Sequence, residues 1–96
     1  MTVPDEEKAA EIARTLVDEK MIACANILPR VRSIYRWEGK ISDEPEVLVV
    51  MKTATDFKAL EARVKVLHPY TTPELISLDV REGLPAYVDW VITSSR

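Results

Sequence analysis

Ile22-Ala-Cys-Ala-Asn-Ile-Leu-Pro-Arg-Val-Arg-Ser-Ile-Tyr-Arg-Trp-Glu-Gly-Lys40, followed after Ile-Ser-Asp-Glu-Pro by Glu46-Val-Leu-Val-Val-Met-Lys52, is the stretch on which the fold turns. Two extended segments rich in Val, Ile, Tyr and Trp flank a polar region carrying Gly39, Ser42, Asp43 and Pro45, which is a β-hairpin pattern of unusual length. The first arm, Ile22 to Leu28, is interrupted by Pro29, which cannot donate to a ladder and predicts a bend or bulge. Beyond it Val31, Ser33, Tyr35 and Trp37 share one face, and Arg32, Ile34, Arg36 and Glu38 share the other. The return arm, Glu46 to Lys52, is apolar on both faces, with Leu48 and Val50 on one and Val47, Val49 and Met51 on the other. Strands of that kind are covered from both sides.

Helical patterns flank the hairpin. From about Asp5 to Lys20, Ala9, Ile12, Ala13, Leu16 and Val17 recur at three-and-four spacing, with Asp5 as N-cap and Glu6 and Glu7 at the positive end of the helix dipole. From about Asp56 to Leu67, Phe57, Leu60, Val64 and Leu67 make a second stripe, ended by His68-Pro69 because the residue before proline is pushed out of the helical region. Glu74 to Val80 alternates as a strand, and Pro85 opens a last short helix with Tyr87, Val88, Val91 and Ile92 on its apolar side. With Met1 to Val3 as the tail of a strand, the order is βαββαβ plus a helix. That is an α+β, ferredoxin-like sandwich with a long central hairpin. Two main helices cover one face of such a sheet, so the doubly apolar return arm calls for a second cover, and another copy of the chain is the natural source.

Composition narrows the function. Ninety-six residues with 47% apolar content and only two glycines predict one globular domain over residues 1–96. A formal net charge of -3 and a pI near 5.1 argue against nucleic acid held by its phosphates, although Arg30, Arg32, Arg36 and Lys40 form a local basic run. One cysteine calls for no oxidising compartment, and no apolar run approaches the length of a membrane span. The expected setting is cytoplasmic, with no membrane and no nucleic-acid partner. Met1 to Lys8 has no basic-then-apolar leader pattern, so no secretory signal is expected in it.

Few residues can carry chemistry. His68, the single histidine, is either a metal ligand or acid-base group or a residue favourably placed at a helix C-terminus. Cys24 inside an apolar strand is either a small buried hydrophobe or a soft ligand. Tyr35, Trp37, Tyr70, Tyr87 and Trp90 lie near element ends, where they serve either packing or a ligand cleft or interface. Lys52 closes an apolar strand and can present its ammonium to an anion or rest at the sheet edge. There is no phosphate loop, dinucleotide fingerprint, nucleophile elbow or paired metal-ligand motif, so an enzyme is not expected.

Ile-Ala-Cys-Ala-Asn-Ile-Leu-Pro (22–29), Ser-Ile-Tyr-Arg-Trp-Glu-Gly-Lys (33–40), Lys52-Thr53, His-Pro-Tyr-Thr-Thr-Pro-Glu (68–74) and Tyr-Val-Asp-Trp (87–90) together resemble the signature segments of the CutA family, the divalent-cation tolerance proteins. The resemblance covers nearly the whole chain in the same order. It implies a ferredoxin-like subunit in a homotrimer held by strand pairing between subunits, a role in tolerance to copper and other divalent metals, and no settled catalytic activity. No cofactor is required; copper or another divalent cation is the ligand it implies. In some members the metal donors are a cysteine in the first strand and two adjacent histidines, and the matching positions here are Met1, Leu67 and His68. A long first strand is also usual, of which Met1 to Val3 remain, so that either the native chain starts earlier or the sheet is shorter at its middle. The alternative expectation is a trimeric small-ligand signalling module like the nitrogen-regulatory proteins, with intersubunit clefts lined by Tyr35, Trp37, Lys52, His68, Tyr70, Glu74 and Trp90.

Overall fold

In the computed structural model, which describes Met1–Arg96, the hairpin is longer than its pattern implies. Strand β2 runs Cys24–Trp37 and β3 runs Lys40–Lys52. The expected turn region is corrected accordingly: Ser42, Asp43 and Pro45 lie inside β3, and only Glu38 and Gly39 turn the chain. Both have positive φ, 50° and 76°, as a tight two-residue turn matched to strand twist requires. Pro45 is tolerated because it lies beyond the end of the neighbouring strand β1 (Thr2–Val3), where one edge of β3 is free and needs no donor. The predicted irregularity at Pro29 is present. The register shifts between Leu28 and Val31, and Arg30 adopts φ 60° to absorb the extra residue.

Helix α1 (Glu6–Asp18) begins where Asp5 Oδ1 accepts from the Lys8 backbone N–H at 2.7 Å. It ends with Lys20 at φ 59°, the Met21 N–H reaching back to the Leu16 carbonyl at 2.9 Å, a left-handed C-terminal cap. Helix α2 (Phe57–Leu67) starts at Asp56, whose side chain accepts from the Ala59 N–H. Arg63 on α2 grips Glu19 at the end of α1 with two bonds of 2.7 and 2.6 Å, which hold the Glu19 carboxyl below its usual range.

The three strands are antiparallel in the order β1-β3-β2. Both helices bury most of their stripes on one face, where Val3, Val47 and Val49 meet Ala9, Ile12, Leu16, Ile22, Leu60 and Val64 in a single core; Val17, expected on the α1 stripe, lies at its margin and is 43% exposed. The opposite face carries Leu28, Leu48 and Val50, and no helix of the chain covers it; Leu28 and Val50 are each 43% exposed. The doubly apolar return arm is thus half buried and half bare.

The last predicted strand differs. Glu74 to Val80 runs without a ladder partner, with Ile76, Leu78 and Val80 72–86% exposed. Its natural neighbour in such a sheet is β1, which is only two residues long. Helix α3 (Pro85–Ser94) forms as expected but buries none of its residues. Its end is fastened instead by Ser95, a buried polar residue whose Oγ accepts from the Ala54 N–H at 2.9 Å while its carbonyl accepts from Thr55 Oγ1 at 2.8 Å. No helix is long and apolar enough to cross a membrane.

Candidate functional site: an acidic, aromatic cleft

The bare face of the hairpin supplies one wall of a cleft of about 810 Å³, within the usual range of small-molecule sites. Alternation and register explain the wall. Ser33 opposes Glu44, Tyr35 opposes Ser42, Trp37 opposes Lys40 and Val31 opposes Glu46, so Tyr35, Trp37, Glu44 and Glu46 stand on the same side. The other wall is the segment after α2, with Tyr70, Thr71, Thr72 and Glu74. Of the residues expected to line a cleft between subunits, Tyr35, Trp37, Tyr70 and Glu74 are brought together within one chain. Lys52 and Trp90 are not. Lys52 sits at the far end of β3 with Nζ 4.0 Å from Cys24 Sγ, and Trp90 packs on Tyr87 with ring centroids 5.6 Å apart. Glu44 and Glu46 are not among the residues that the sequence pattern singles out. They become legible only once the turn is placed at Glu38 and Gly39, because a one-residue slip would put them on the other face.

Hydrogen bonds hold the carboxylates. Tyr70 Oη donates to Glu46 Oε2 at 2.9 Å, and Tyr35 Oη donates to Glu44 Oε2 at 3.2 Å. Burial, then the bond to Glu46 and its charge, push the Tyr70 phenol up to about 12; desolvation and Glu44 also raise Tyr35. Because the folded chain holds the Tyr70 proton more tightly than the unfolded chain does, this stabilising contribution is complete below about pH 10 and is lost as the pH rises through about 12. In an alkaline titration of phenolate absorbance, one tyrosine should therefore ionise near pH 12, and Tyr70→Phe should remove that phase. The one arginine at the cleft, Arg32, is committed to Asp43 through two bonds of 2.8 and 2.7 Å.

His68 backs the cleft as a latch. Only 6% exposed, it stacks against Tyr70 with ring centroids 4.8 Å apart. Its Nδ1 accepts from the Tyr70 backbone N–H at 3.0 Å, which makes Nε2 the protonated nitrogen, donating to the Thr2 carbonyl at 2.7 Å. Both nitrogens are thereby used to tie the end of α2 to β1. Met1 is 7% exposed, with its side chain in the core and its ammonium 3.5 Å from Glu74. No group of three or more His, Cys, Asp or Glu side chains in the chain is placed to hold a metal ion. A resident metal centre therefore does not fit the residues of one chain.

Comparison with known proteins places this geometry in a family. The model of the CutA1 divalent ion tolerance protein family matches residues 1–94. The chain is 49% identical over 92 residues to a divalent-cation tolerance protein CutA of Thermus thermophilus, covering 95% of this chain and 89% of that protein. It is 42% identical over 92 residues to human protein CutA, of which it spans 51%. Its fold superposes on the solved Thermus thermophilus Cut A1 structure with a TM-score of 0.95, at 47% identity, over 99% of this chain and 93% of that one. It superposes on a PII-like protein CutA from Nostoc with a TM-score of 0.90, at 38% identity, over 99% and 92%. Whole-length agreement in both sequence and fold leaves one assignment: the chain belongs to the CutA1 family of divalent-ion tolerance proteins.

Proposed function

We propose that the protein acts in divalent-cation tolerance as a cytoplasmic homotrimer, without catalysis. One observation carries the assembly: the sheet face opposite the helices is apolar and uncovered, with Leu28 and Val50 half exposed. The unpaired Glu74 to Val80 segment adds an open main-chain edge beside it, and edges of that kind pair with other chains unless they are covered. Metal contact is weak and transient. Of the implied donors, His68 must surrender either Thr2 or Tyr70 to bind copper, and the Met1 thioether must leave the core. In a host strain lacking its own family member and challenged with copper, expression of this chain should restore growth. Expression at normal levels without rescue would overturn the tolerance role.

The cleft supports a second reading, a trimeric small-ligand signalling module. Its volume and fixed aromatic walls suit an organic molecule better than a bare ion, and the Nostoc relative is described as PII-like.

A further inference from the structure

We draw no further inference here: the strongest candidate, the shallow apolar groove that Ala10, Ala13, Arg14, Val17, Ala25 and Ile27 form between α1 and the edge strand β2, is an unpartnered face, and nothing in the structure shows what covers it.

Discussion

Leu16→Ala is expected to destabilise the folded chain by about 3–5 kcal/mol and to lower its melting temperature on the order of 20 °C at fixed protein concentration. Leu16 is completely buried at the centre of the cluster that joins α1 to Val3, Val47, Val49 and Val64. Its carbonyl also accepts the N–H bonds of Met21 and Ile22 that close the helix, so the backbone there cannot easily move to fill a void. Val17, one residue on, faces outward at 43% exposure, and Val17→Ala should cost less than about 1 kcal/mol. Thermal melts of the two variants side by side check the placement of the core on one face of the sheet. Equal losses would mean that α1 sits differently.

His68→Ala should cost about 2–4 kcal/mol in metal-free buffer. The variant strands the Tyr70 N–H and the Thr2 carbonyl, both of which His68 satisfies, and removes the ring that backs Tyr70. Chemical denaturation after exhaustive chelation measures this loss. The size of the effect without metal matters for function, because a drop in copper binding in the same variant then reports disrupted structure as readily as a missing ligand. A His68→Ala protein as stable as the parent would show that the latch contributes little and would restore the metal-ligand role as the reason for this histidine.

Much of the fold was legible because local patterns agreed with one another. The stripes of α1 and α2 apart from Val17, the Asp5 cap and the bulge signalled by Pro29 appear where the residues call for them. The misplaced turn has a specific cause. Ser42, Asp43 and Pro45 are turn-prone residues, but they lie where β3 has a free edge, which tolerates them, while Glu38 and Gly39 adopt the positive φ angles that match strand twist. The expected strand at Glu74 to Val80 has the right alternation but no neighbour, and alternation alone cannot supply a ladder partner. Ser95 was invisible for a different reason: its burial comes from capping the loop at Ala54 and Thr55, forty residues away along the chain. At the site, the aromatic residues announced themselves by type. Glu44 and Glu46 emerged only from register, and the engagement of both His68 nitrogens only from three-dimensional placement.

The tolerance role, the covering of the bare sheet face and the cleft all depend on the state of assembly. Sedimentation equilibrium at micromolar concentration tests that directly: the expected mass is three times the 10.9 kDa of one chain, and a stable 10.9 kDa species with the Leu28–Val50 face open to solvent would contradict it.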